Sequence, residues 1–230
     1  MQLEIIYHQN QLVAINKPHG LLVHRSKYAD EAKEFAVQEL RNQIGCYVYP
    51  VHRLDRKTAG VLVFALNTEM NAAMNLLFAE NRVSKKYLAV VRGHTDDSGI
   101  IDYPLVNDAG KNQEAVTYYR TLQRSEISVP FGKFQTSRYS LVEVEPHTGR
   151  IHQIRKHFAH IFHPIIGDRP HGCNKQNRLF KERWGFDTML LHATEVTFLH
   201  PETNIPVLLQ AGLHPEFRKG LELTQLSIRT

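Results

Sequence analysis

Cysteine is nearly absent from this chain of 230 residues: Cys46 and Cys173 are its only two, far apart and without CxxC spacing. That argues against a disulfide scaffold and a zinc ribbon, and it fits a reducing cytoplasm. Long apolar runs are missing too. No stretch approaches the roughly twenty residues that a membrane-spanning helix needs. The opening from Met1 to Pro18 lacks the basic start and apolar centre of a secretory leader, so a soluble protein is expected. Internal repeats and low-complexity segments are lacking as well, and no disordered tail is required. What is present is a hydrophobic fraction of 42%, enough for a sizeable core and most simply one compact domain over residues 1–230. Lysine and arginine (28) outnumber aspartate and glutamate (23), which tilts the partner list toward polyanions, although enzymes of small anions are often as basic.

Hydrophobic periodicity organises the chain. Leu3 to Tyr7 and Leu12 to Asn16 read as a hairpin around His8–Gln11, and Pro18-His19-Gly20 as a turn before Leu21 to Val23. Asp30 to Ile44 is helical in pattern. Met70, Ala73, Met74, Leu77 and Phe78 fall on one face of a second helix, with Asn67 or Thr68 as its cap. Val61 to Leu66 is a buried strand, and Lys86 to Arg92 alternates with Tyr87, Ala89 and Val91 on one face. Further strands are expected at 115–122, 139–145, 190–199 and 206–209, a helix at 151–161, and a loop at 107–113. Runs of strands broken by few helices point to an α+β fold: a large mixed, mainly antiparallel sheet with flanking helices.

The segment His52-Arg53-Leu54-Asp55-Arg56-Lys57-Thr58-Ala59-Gly60 sets one carboxylate among several cations just before that buried strand. Arg53, Arg56 and Lys57 favour the ionised acid, which suits Asp55 to act as nucleophile or base rather than proton donor. Gly60 lets the backbone turn into the strand, fixing the loop on a rigid element. A solvated charge cluster on a surface turn is the bland alternative.

Other segments decide between them. HRLD with Thr58 and Gly60 resembles the motif around the catalytic aspartate of RluA-type pseudouridine synthases, with Ala59 where that family has serine. Asn16-Lys17-Pro18-His19-Gly20, Lys85-Lys86-Tyr87, the run Thr148 to Arg155, His163-Pro164-Ile165-Ile166-Gly167-Asp168 and Leu190-Leu191-His192-Ala193 resemble its NKPxG, KxY, TGRxHQxR, HPIxGD and LLHA segments, in the family's order. The resemblance implies an RNA isomerase that detaches a uracil from its ribose, turns it and rejoins it through carbon. Such a reaction needs a nucleophile or base, a dry pocket and base flipping, but no cofactor and no metal.

By that resemblance Asp55 is the essential carboxylate, attacking the sugar carbon or removing a sugar proton. Tyr87 stacks on the target base, since an aromatic face holds a flat ring without a hydrogen bond that must break as it turns. Arg155 has a planar donor fork able to grip Asp55 and keep it charged. Arg53 fills the gap left by the extruded base, or binds phosphate. Taken alone, Tyr87 reads as an ordinary core tyrosine and Arg155 as a solvated helix arginine.

The remaining RNA contacts are expected from Arg150, Lys156 and the basic, aromatic stretch 169–184, with Lys175, Arg178 and Lys181, read equally as a solvated loop. His152, His157, His160 and His163 crowd one segment, but no acidic helper interleaves and two lie inside the resembled motifs, so a metal is not expected. The family pattern begins almost at Met1, which leaves no room for an S4-like RNA-binding domain. Leu22 to Ser26, His163 to Asp168 with His171-Gly172, and Gln176-Asn177-Arg178 are most similar to family members acting on tRNA, at the last base pair of the T stem (uridine 65). The rivals are a synthase for ribosomal RNA or the tRNA anticodon stem, an RNA-binding or folding factor with dispensable chemistry, and a hydrolase of nucleosides or sugars. The last would pair two carboxylates where only one stands out. No membrane and no obligate protein partner are indicated.

Overall fold

The hairpin that opens the chain, β1 (Glu4–Gln9) and β2 (Leu12–Lys17), turns at Asn10 and Gln11, both in the left-handed region with φ of 49° and 60°. The computed structural model describes residues 1–24 and 34–228. Arg25 and Ser26, and the start of the helical pattern at residues 30–33, lie outside the described residues. The helix α1 itself is Ala36–Ile44 and closes on Gly45. There follow β3 (Tyr49–Pro50), β4 (Ala59–Ala65), α2 (Thr68–Ala79), β5 (Ser84–Arg92), β6 (Ser98–Asp102), and a small hairpin of β7 (Leu105–Val106) and β8 (Asn112–Gln113). The rest is β9 (Val116–Ile127), β10 (Ser137–Pro146), α3 (Gln153–His160), α4 (Asn174–Trp184), β11 (Leu191–Leu199), β12 (Pro206–Gln210) and α5 (Pro215–Leu223). The class is α+β with a large, mainly antiparallel sheet, as the pattern of strand runs indicated. No helix among the described residues is long and apolar enough to cross a membrane.

The chain divides into two compact units, Met1–Lys85 with Ala193–His214, and the residues from Lys86 to His192 with those from Pro215 onward. In the first, β4 lies between β2 and β11 in the strand order, with β3 also on β4 and β12 on β11. Every residue of β4 is buried, which is why its sequence is an unbroken apolar run rather than an alternating one. Met70, Met74 and Leu77 of α2 pack on Val61, Val63 and Leu12, and each buried side chain contributes about 1.5–3 kcal/mol. Asn67 caps that helix, its side-chain oxygen accepting from Met70 N at 2.7 Å.

In the second unit the order is β5-β10-β9-β6. Tyr139–Val144 of β10 pair with Arg92–Tyr87 of β5, and Ile154 and Phe158 of α3 cover Ala89, Val91, Val142 and Val144. The basic stretch read equally as a loop is the helix α4. Only Gln176 and Phe180, one turn apart, are buried on it, so its apolar periodicity is too sparse to stand out among the charges.

Candidate active site

Asp55 is half-buried, on the loop between β3 and β4, following Leu54, which is buried and anchors the loop. The loop is tied down through its backbone. Thr58 N donates to Asp55 O at 3.0 Å. Gly20 N donates to Arg56 O at 2.9 Å, and Arg56 Nε returns a bond to Gly20 O at 3.0 Å. Lys17 completes the tie. Its side chain is wholly buried, and Nζ donates to the carbonyls of Pro18 (3.0 Å), Leu21 (2.9 Å) and Arg56 (3.2 Å), matching an ammonium's three donors. Burial pushes the Lys17 pKa down to about 7, while the negative charge of Asp55 pulls it up. The NKPHG turn and the acid loop are thus one assembly, with a cation inside the field of the candidate carboxylate.

His52, at the head of the motif, faces inward. Its Nε2 accepts from Val63 N at 3.1 Å and its ring stacks on Phe78 with centroids 5.0 Å apart. Burial, reinforced by the Lys85 charge, pushes its pKa down to about 3, so the ring is neutral with its proton on Nδ1. The unfolded chain binds this proton near pH 6.5 and the folded chain only near pH 3. Folding is therefore opposed as the pH falls through that window, by about 1.4 kcal/mol per pH unit at most. Urea unfolding across the window should show His52→Gln losing less stability on acidification than the native chain. Parallel losses in the two proteins would exclude His52 as the titrating group.

In the second unit Tyr87 stands on β5 opposite Val144, half-buried against the cluster covered by α3. Its position is neither that of a fully enclosed core tyrosine nor of a surface one. Arg155, in the first turn of α3, is 6% exposed. The resemblance reads its fork as gripping Asp55. The structure puts the buried Asp168 on the Nε–Nη2 edge, with Nε to Oδ2 and Nη2 to Oδ1 both at 2.8 Å. The pair engages two of the guanidinium's five donors.

The segment that introduces α3 folds around Gln153. Its Oε1 accepts from Thr148 Oγ1 (2.7 Å) and Arg150 N (2.9 Å), and its Nε2 donates to Val116 O and Thr117 Oγ1, both at 3.0 Å. A buried amide with all these bonds made fixes the TGR turn on the start of β9.

The expected RNA contacts fall into groups. Arg53 is exposed on the acid loop; Arg150 is half-buried with Nε on Glu114 O at 3.0 Å; Lys156 is half-buried on α3. Lys175, Arg178 and Lys181 are exposed along α4, beside a cleft of about 600 Å³ lined by Gly167, Arg169, Arg178, Lys181, Phe180 and Phe186. The four crowded histidines engage residues elsewhere in the chain, and two of them share Tyr103. His152 meets His171, His157 meets Tyr103 O, His160 stacks on Tyr103, and His163 Nδ1 meets Arg92 O. Among the described residues no three His, Cys, Asp or Glu side chains are grouped to hold a metal.

Lys17 and Asp168 stood in motifs without a role of their own. The unusual signal was available at Lys17, a lysine that ends β2 two residues after the apolar run 12–15.

The first unit thus carries a loop-borne carboxylate beside a buried lysine, and the second a half-buried aromatic on a strand and a buried guanidinium. Residues 11–160 match the model of the RNA pseudouridylate synthase family. A protein of Vibrio cholerae named tRNA pseudouridine synthase C is 46% identical over 222 residues, covering 92% of this chain and 91% of its own. The Haemophilus ducreyi protein of that name is 45% identical, covering 95% and 94%. The solved structure of human RNA pseudouridylate synthase domain containing 4 superposes with a TM-score of 0.77 at 25% identity, covering 99% of this chain and 95% of its own. The chain belongs to the RNA pseudouridylate synthase family and is an isomerase.

Proposed function

We propose that the protein converts a uridine of tRNA to pseudouridine, at the last base pair of the T stem (uridine 65), in the cytoplasm. The observation that carries this reading is the identity of 44% to 46% with proteins named tRNA pseudouridine synthase C, over nine-tenths or more of this chain. Asp55 is the carboxylate that acts on the sugar. Tyr87 stacks on the base while it is detached and turned. Arg155 supplies the positive charge that the family pattern associates with that carboxylate, and Arg53 occupies the space of the flipped base. Lys17 keeps the acid loop in place from beneath.

Mapping of pseudouridines across all RNAs in cells with and without the gene tests the target. The expected result is loss of one T-stem tRNA modification. Loss confined to ribosomal RNA or to an anticodon stem would reassign the substrate.

Phosphate contact is assigned to Arg150, Lys156 and the exposed face of α4. Each contact contributes roughly one unit to the slope of log affinity against log salt. Neutralising Lys175, Arg178 and Lys181 together should flatten the slope by roughly two to three units and weaken all RNAs alike, with the chemical step of saturated enzyme unchanged. An unaltered slope would make α4 a solvated face and move the RNA track elsewhere.

A further inference from the structure

The helix that carries Arg155 and the turn that carries Asp168 are joined twice. One joint is the buried bidentate ion pair. The other is a pair of rings: His152 Nδ1 lies 2.9 Å from His171 Nε2. His152 is the N-cap of α3 and adopts a left-handed conformation, φ 56°, that few side chains tolerate without a reason. Asp168 is 1% exposed, and its backbone is gripped as well. Asn177 Nδ2 donates to its carbonyl at 2.6 Å while Asn177 Oδ1 accepts from Gly167 N at 3.0 Å, so α4 fixes the turn. His171 N reaches Asp168 Oδ1 at a long 3.4 Å, and Gly172 approaches so closely that a Cβ there would fall 1.9 Å from Asp168 O.

A buried ion pair adds little net stability, because desolvating both charges offsets their attraction; what it does supply is a fixed geometry. A carboxylate bound to both Nε and Nη2 sets the plane of a guanidinium and the direction of the donors on its other edge. We propose that Asp168 is a positioning residue for the isomerisation, fixing the plane of the Arg155 guanidinium, while the His152–His171 contact keeps the turn bearing Asp168 in register with α3. This rests on the assignment of Arg155 to the reaction.

The test is single-turnover pseudouridine formation by saturating full-length enzyme on a prefolded tRNA transcript, with RNA affinity and melting temperature measured on the same proteins. Asp168→Asn should react about 100-fold more slowly with its RNA affinity unchanged. Combined with Arg155→Lys it should lose little beyond the slower single variant, because both act through one group. Asp168→Asn removes a buried countercharge of Arg155 and lowers the melting temperature in either case, so the rate decides: a role confined to folding would leave the folded, saturated enzyme at the native rate.

Should Asp168→Asn fail to fold, His171→Asn carries the test, since His171 is only half-buried. It should be about tenfold slower at unchanged melting temperature, and again non-additive with Arg155→Lys. Native rate in whichever of these variants folds, or simple multiplication of the losses, overturns the proposal. Native rate in Arg155→Lys alone removes Arg155 from the reaction and this proposal with it. A slow Arg155→Lys beside a full-rate Asp168→Asn overturns only the part given to Asp168.

Discussion

Asp55→Asn should remove pseudouridine formation, a fall of about ten-thousand-fold in single-turnover rate, while RNA affinity stays near the native value. The amide keeps the shape of the side chain and discards the charge that the proposed reaction uses. The loop itself should survive the change, because the bonds described for it run through its backbone and the Arg56 side chain: Lys17 to Arg56 O, Gly20 to Arg56 O, Thr58 to Asp55 O and Arg56 Nε to Gly20 O. One electrostatic neighbour should respond. Lys17 loses the negative charge that holds its proton and moves further toward the neutral form. Turnover within tenfold of native in this variant would take Asp55 out of the centre of the mechanism.

The second large effect is on stability. Gly60 is the second residue of the strand that leaves the acid loop, with φ at 108°, and a Cβ built there would lie 2.0 Å from Ala193 O and 2.7 Å from its carbonyl carbon. Backbone cannot yield as a flexible side chain can, so Gly60→Ala combines an unfavourable φ with a steric overlap inside the sheet. The expected loss is about 4 kcal/mol or more in urea unfolding. A loss under about 1 kcal/mol would mean that the loop and strand can be re-seated without Gly60.

Much of this was legible in the sequence because the signals were local. The hairpin of β1 and β2 was visible in its polar turn between apolar runs. The helix α2 was visible in Met70, Met74 and Leu77 with Asn67 ahead of them, and the acid loop in the abrupt change from His52–Gly60 to the apolar run of β4. The family was legible through motifs in order, and the match of residues 11–160 bears that out. What escaped depended on distance or on sparse burial. The helix α4 buries Gln176 and Phe180 alone; α5 has few buried positions, among them Phe217 and Leu221; β6 is a short strand at the end of the order with Ile100 exposed. One partner of the Arg155 fork, Asp168, escaped for another reason. Nothing in a spacing of residues tells which carboxylate a guanidinium will meet, and Asp168 is brought to it by the folding of two motifs onto each other.

The division of the first unit between Met1–Lys85 and Ala193–His214 bears on when the protein can first become active. The acid loop and the strand behind it are translated early, yet Ala193, against which Gly60 packs, emerges roughly 130 residues later, which at cellular rates of synthesis is about 7 to 26 seconds. Until then β4 lacks its β11 neighbour and the wall behind the loop is missing. A nascent chain therefore carries its carboxylate through most of translation on an unfinished support, and competence to modify RNA arrives late in synthesis, with the return of the chain through residues 193–214.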